Sequence, residues 1–306
     1  MPRVAVVDIG TNSTRLLVAE VGDGVRELDR RSIVTRLGEG LEVSGELGAE
    51  PRERVFRALE EYAAAIEEHG VEIRVAVLTS AVRDAANGAA FTDEVRDRFG
   101  LDAQTISGDE EARLTFLGAT AARDAADAST RMVVDIGGGS TELVVGLGST
   151  VEFHVSTQVG VVRHSERHLH HDPPTEEELE ALASDARAVI DDALPGDVAD
   201  RVRTVIAVAG TATMTAAMDL ELDPYDSSKV EGHVLSVDTL RDQLHRLASV
   251  PLDERRRITG LHPDRAPTIV AGVAVLLQVL EAVGAPEVEV SDRDMLWGKA
   301  LDAVRP

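Results

Sequence analysis

The chain contains no cysteine, which excludes disulfides, zinc–thiolate centres and a cysteine nucleophile. Aromatic residues are scarce, at 3%, so the cores of a chain that is 43% hydrophobic must be built mostly from Val, Leu, Ala and Ile. Positive charge is also short: 31 Lys and Arg face 55 Asp and Glu, for a net charge of −24. Such a surface argues against nucleic acid as a bulk partner, and an anionic substrate would need a local basic site. No signal-peptide pattern stands at the start. The longest apolar run, residues 268–280, contains Gln278 and is followed by Glu281; it is too short to span a membrane and reads as a buried helix. The expectation is a cytoplasmic protein without a membrane partner. A length of 306 residues allows one large or two ordinary domains.

Against these absences stands a concentration of glycine. In Val133-Val134-Asp135-Ile136-Gly137-Gly138-Gly139-Ser140-Thr141-Glu142-Leu143-Val144-Val145 two apolar runs flank a polar, glycine-rich centre, the pattern of a β-hairpin with a bare backbone turn. Three successive glycines leave no Cβ in the way, so several N–H groups can face one anion. Ser140 and Thr141 add hydroxyl donors. Asp135 and Glu142 flank the cradle, where carboxylates beside a phosphate site commonly hold Mg²⁺.

The N-terminus repeats the pattern. Val6-Val7-Asp8-Ile9-Gly10-Thr11-Asn12-Ser13-Thr14-Arg15-Leu16 aligns with the first stretch, Asp8 over Asp135, at a separation of 127 residues. That interval suits two related domains rather than a solenoid. Arg15 falls where the second copy has Glu142, which suggests that one loop grips phosphate directly and the other through a metal.

Taken in order, strands are expected over 4–9 and 15–21, followed by the turn Gly22-Asp23-Gly24 and a glycine-bearing loop at 36–41. A helix is expected over 52–68, stopped at His69-Gly70, then a strand over 71–78. Arg83 follows that strand, where ligands collect in open α/β sheets; it reads either as a fork of donors for phosphate or as a surface arginine opening a helix. A helix over 91–99 and a short strand lead to Ser107-Gly108-Asp109-Glu110-Glu111. Ser107 or Asp109 can cap the next helix, and Glu110 and Glu111 are then ordinary first-turn acids; nothing in the spacing alone makes Glu111 catalytic. Residues 119–129 read as a helix crossing between the halves. In the segment 160–172, His164 and His168 have the spacing of a helical metal pair. No third ligand is obvious, and a solvent-facing basic helix end is the preferred reading. Thr175 caps a helix to 194. A strand over 204–209 enters Gly210-Thr211, which either approaches a nucleotide or phosphate chain or forms a tight strand-to-helix turn. A strand at 234–237, a helix from 238, a helix over 268–282, a strand over 287–290 and a last helix complete an α/β pattern.

Six elements together resemble one family. They are Asp8-Ile9-Gly10-Thr11-Asn12-Ser13 with Arg15, Thr79-Ser80-Ala81-Val82-Arg83-Asp84-Ala85-Ala86-Asn87, Ile106-Ser107-Gly108-Asp109-Glu110-Glu111-Ala112-Arg113, the Asp135–Glu142 cradle, Ala209-Gly210-Thr211, and Ser291-Asp292-Arg293. The chain resembles the exopolyphosphatase/guanosine pentaphosphate phosphatases, in their short two-domain form, of the actin, Hsp70 and sugar-kinase superfamily. The resemblance implies two ribonuclease-H-like (actin-like ATPase) domains, each a mixed sheet flanked by helices, with a cleft between them. The domains would be 1–120 plus about 290–306, and 121–289. It implies hydrolysis of terminal phosphoanhydride bonds of inorganic polyphosphate, or of guanosine pentaphosphate, with Mg²⁺ or Mn²⁺ as cofactor. A phosphotransferase and a polyphosphate- or nucleotide-binding sensor are the competing functions, and a homodimer is left open. By carry-over, Glu111 is the general base, and Asp135 and Glu142, with Asp8, are the metal carboxylates. Gly10, Thr11, Asn12, Ser13, Thr14, Arg15 and Arg83 are phosphate contacts, as are Gly137, Gly138, Gly139, Ser140, Thr141, Gly210 and Thr211. Glu231-Gly232-His233 departs from the family order, so His233 receives no role.

Overall fold

The computed structural model describes residues 1–22, 24–121, 129–148 and 150–304. The chain divides into two compact units, Met1–Ala122 with Asp294–Pro306, and Arg123–Arg293.

In the first unit, strands β1 (Arg3–Ile9), β2 (Ser13–Val21), β3 (Val25–Val34), β4 (Ile73–Leu78) and β5 (Asp102–Thr105) form one sheet in the order β3-β2-β1-β4-β5. The first three are antiparallel neighbours, and β4 and β5 continue parallel to β1. Both faces are covered, which is why β1 reads as a continuous apolar run rather than an alternation. Ala5, Val7, Leu16 and Val18 pack with Val55, Leu59 and Tyr62 of the helix Ala49–Glu68. On the other face Val4, Val6, Leu17 and Ala19 meet Leu296 and Ala300 of the helix Met295–Asp302. Strand β3 is not among the strands expected from the sequence. Its Arg26, Glu27, Asp29, Arg30 and Arg31 hide a strand signal, but charge is what an edge strand needs to discourage pairing with another chain.

In the second unit β6 (Thr130–Ile136), β7 (Thr141–Leu147), β8 (Thr150–Thr157), β9 (Thr204–Val208), β10 (Val234–Ser236) and β11 (Glu287–Val290) take the order β10-β11-β9-β6-β7-β8. The run β8-β7-β6-β9-β11 repeats the order of the first sheet, with the same antiparallel and parallel senses, and β10 is an antiparallel addition at its edge. Each unit is therefore a ribonuclease-H-like mixed sheet flanked by helices. Strand β8 is likewise beyond the sequence expectation, although Val151, Phe153 and Val155 alternate with polar residues along it. The helix Ile269–Val283 is buried on nearly every side, in keeping with its apolar run. Among the described residues no helix is long and apolar enough to cross a membrane. The helix Glu176–Ala193 opens with a reciprocal cap between Thr175 and Glu178. Of the expected crossing helix over 119–129, residues 119 and 120 close the helix Gly108–Thr120, and 122–128 lie outside the described residues.

Candidate active site

Strand register builds the two loops in the same way. Asp8 pairs with Arg15 and Ile9 with Thr14, which leaves Gly10, Thr11, Asn12 and Ser13 in the turn. Asp135 pairs with Glu142 and Ile136 with Thr141, which leaves Gly137, Gly138, Gly139 and Ser140. A single bond closes each turn: the Gly10 amide donates to the Ser13 carbonyl at 3.0 Å, and the Gly137 amide to the Ser140 carbonyl at 2.9 Å.

In both loops the central carbonyls are bonded away by the segment that follows the third strand of the sheet meander. Thr11 O accepts from the Gly38 amide at 2.9 Å, and Asn12 O from the Thr35 and Arg36 amides at 3.0 and 2.8 Å. In the second unit Gly137 O accepts from Val161 and Gly138 O from Val162, both at 2.9 Å, at the start of the helix Val161–His168. Gly139 O accepts from Arg163 Nε at 3.1 Å. With these oxygens turned aside, the outward groups of each loop are its donors, which suits an anion. Among the described residues the Gly138 and Gly139 amides have no backbone acceptor, and the buried Nδ2 of Asn12 has no hydrogen-bond partner. Gly160 permits the close backing of the second loop, since a Cβ there would lie 2.4 Å from the Gly138 carbonyl oxygen.

Two hydroxyls expected to meet phosphate are turned inward instead. Thr14 and Thr141 occupy equivalent, fully buried positions. Thr14 Oγ1 bonds Thr35 Oγ1 at 3.0 Å, and Thr141 Oγ1 donates to the Val159 carbonyl at 2.6 Å. They pin the hairpin ends. Thr11 Oγ1 lies 2.8 Å from Ser80 Oγ, a residue to which the sequence assigns no role.

The charged pairs differ sharply. Arg15 donates to Asp8 Oδ2 from Nε at 2.8 Å and from Nη2 at 2.6 Å. It also bonds Asp294 Oδ2, whose other oxygen caps the helix Met295–Asp302 through the Leu296 amide. Arg15, read from the sequence as a phosphate contact, is thus engaged by two carboxylates. Asp8 keeps one buried oxygen without a hydrogen-bond partner; burial pushes its carboxyl upward, against the pull of Arg15. In the second unit Asp135 and Glu142 lie opposite each other, 7% and 1% exposed, and Glu142 Oε1 accepts from Ser156 Oγ at 2.8 Å.

The helix Gly108–Thr120 separates its two glutamates. Ser107 caps it through the Glu110 amide, and Glu110 pairs with Arg113 at 2.8 Å. Glu111 is 8% exposed and meets Arg83 Nη1 at 3.2 Å, while the same Nη1 donates to the Ile106 carbonyl at 3.0 Å. Glu110 is the first-turn surface acid, whereas Glu111 is a buried carboxylate fixed to a cation.

Gly210 and Thr211 lie in the first turn of the helix Ala209–Asp219, as the strand-to-helix alternative expects. Ala209 enters that turn with φ +62°, a strained value for a residue other than glycine. A Cβ on Gly210 would stand 2.8 Å from the Arg265 guanidinium carbon. Arg265 and Arg163 are cations at these loops that no sequence motif marks. The solvent-facing reading of the helix Val161–His168 fails at His164, which is buried. Burial lowers its pKa to about 4.

The description Ppx/GppA phosphatase family matches residues 16–298 of the chain. The chain is 34% identical to Exopolyphosphatase 2 of Mycobacterium tuberculosis, across 98% of each protein. Among solved structures it superposes with a TM-score of 0.82 on the Ppx/GppA family member of Aquifex aeolicus, at 31% identity, covering 99% of this chain and 97% of that one. An exopolyphosphatase from Cytophaga hutchinsonii gives a TM-score of 0.89 at 26% identity, with 99% of both chains covered.

Proposed function

The chain belongs to the Ppx/GppA phosphatase family, and from that premise we propose that it is an exopolyphosphatase, releasing orthophosphate from the ends of inorganic polyphosphate. The observation that carries this reading is the second hairpin, where a loop with its carbonyls bonded away stands over two buried carboxylates in register. Phosphoryl transfer asks a protein mainly for positioning, charge neutralisation and an oriented nucleophile. The loops Gly10–Ser13 and Gly137–Ser140 supply donors for phosphate oxygens.

Glu111 serves as the general base. It takes a proton from water as the water oxygen bonds to the terminal phosphorus; the bridging P–O bond breaks, and its electron pair leaves on the shortened polymer. Arg83 holds the Glu111 carboxylate in one orientation and compensates its charge. Its other guanidinium donors are assigned to phosphate.

Asp135 and Glu142 fit Mg²⁺, because they are hard oxygen donors paired on one face beside a phosphate loop. Asp8, with one oxygen committed to Arg15, is the weaker claimant. When bound, the ion, with Mn²⁺ as a substitute, would neutralise charge on the transferred phosphoryl group.

Phosphate release from medium-length polyphosphate, guanosine pentaphosphate and ATP, each with Mg²⁺ and with EDTA, tests the reading. Release from polyphosphate that needs Mg²⁺, with ATP nearly inert, is the expected result. Preference for guanosine pentaphosphate would move the substrate to that nucleotide. Binding without release from any of the three would replace the enzyme by a sensor.

A further inference from the structure

The helix Val161–His168 carries His164 and His168 four residues apart, on one face. The ligand that the sequence does not reveal comes from the helix Glu176–Ala193, which packs against it. Asp185 Oδ2 lies 2.9 Å from His168 Nε2 and 3.6 Å from His164 Nε2, and all three donor atoms fall within 4.8 Å of one another. His164 is 1% exposed, and its Nε2 is buried without a hydrogen-bond partner. A buried polar nitrogen aimed at a carboxylate and a second imidazole, and bonded to neither, is an unsatisfied position that costs free energy unless something fills it.

We infer that His164, His168 and Asp185 form a binding site for a borderline transition-metal ion of the Zn²⁺, Co²⁺ or Ni²⁺ class, separate from the Mg²⁺ carboxylates. Two imidazole nitrogens and one carboxylate oxygen are the donors that such ions prefer, whereas Mg²⁺ favours oxygen alone. Bonds of about 2.0–2.2 Å in a tetrahedral arrangement place ligand atoms roughly 3.3–3.5 Å apart. The two distances to Asp185 reach that with movements of a few tenths of an ångström, and the two imidazole nitrogens, within 4.8 Å of each other, reach it by rotation of the His168 side chain. Three protein ligands leave a fourth position for water. Arg167 Nη1, 3.1 Å from Asp185 Oδ2, must swing away on binding, and its side chain is 41% exposed, which leaves it room.

Occupancy reaches the phosphate loop. His164 Nδ1 accepts a long bond, 3.4 Å, from the Gly160 amide, and Gly160 is the residue packed against Gly138 and Gly139. Coordination through Nε2 requires the proton on Nδ1, so the Gly160 amide loses its acceptor when the ion binds. The site is defined by its ligands and stands or falls independently of the exopolyphosphatase reading.

The test is a Co²⁺ and Zn²⁺ titration of the chelator-treated full chain in excess Mg²⁺, read by the visible bands of bound Co²⁺ and by calorimetry. The expected result is saturable binding of a single ion, weakened more than about tenfold in His168→Ala and in Asp185→Asn. Both residues are partly exposed, so these variants fold even if His164→Ala does not. His171→Ala, which alters the nearby exposed His171–Glu178 pair, should leave the affinity unchanged. Binding that is unsaturable, that is lost in His171→Ala, or that is indifferent to His168→Ala and Asp185→Asn would overturn the site.

Discussion

The two hairpins share turn length, closing bond, inward threonine and carbonyl backing, and they part at one cross-strand position. Opposite Asp8 stands Arg15; opposite Asp135 stands Glu142. In the first unit a cation stands between carboxylates, and Arg15 ties Asp8 and Asp294 together. In the second, two carboxylates face each other. Like charges directly opposed on a sheet are costly, and a bound cation would offset that cost. One backbone frame thus yields a self-contained brace in one unit and a candidate ion site in the other.

The largest expected effect comes from imposing the first arrangement on the second. Glu142→Arg should fold, because the new guanidinium can pair with Asp135 where two carboxylates stood opposed. It should nevertheless lower kcat by about three orders of magnitude by removing an ion ligand. Retained turnover with an unchanged Mg²⁺ titration would break the comparison. The reverse lesion, Arg15→Met, leaves Asp8 and Asp294 buried without their cation and should cost about 3 kcal/mol of stability, read by denaturant unfolding. A variant that stayed stable but lost substrate affinity would return Arg15 to the phosphate-contact role.

Glu111→Gln should lower kcat about a hundredfold or more while substrate binding persists, because the donors of both loops are untouched. A kcat within a fewfold of the parent would remove Glu111 from its assigned role. The smallest effect concerns His164 in the metal-free protein. Its pKa, about 4 when folded and near 6.5 when unfolded, means that the unfolded chain binds the proton first as pH falls. Stability contributed by neutral His164 is therefore full above about pH 6.5 and lost as pH falls toward 4, by roughly 2 kcal/mol at pH 5. His164→Gln should flatten the pH dependence of Tm in that window.

Much of this is readable in the chain itself. The two loops announce themselves because glycine, hydroxyl and carboxylate recur at the same offsets, and the helix Ile269–Val283 announces itself by an apolar run with no polar face. What escapes depends on pairing and packing. Glu110 and Glu111 are equivalent as helix-opening acids until Arg83 comes within reach of only one. Thr14 and Thr141 look like loop hydroxyls until register puts them at the hairpin base, facing inward. Asp185 lies 17 residues beyond His168, and only the packing of two helices makes it a neighbour. Strand β3 is masked by its own surface charge.

The bond from Arg15 to Asp294 spans 279 residues, and it has a consequence for how the protein is made. During synthesis the face of β1 and β2 that carries Val4, Val6, Leu17 and Ala19 emerges well before the helix that covers it. Its cover, Leu296 and Ala300, follows only after the whole of the second unit has been made. Until then this apolar face waits for its helix, while the intervening unit already has its complete sequence and can fold. Nascent chains should therefore show a long interval in which β1 and β2 are open to chaperones, ended by a docking step that joins segments 279 residues apart.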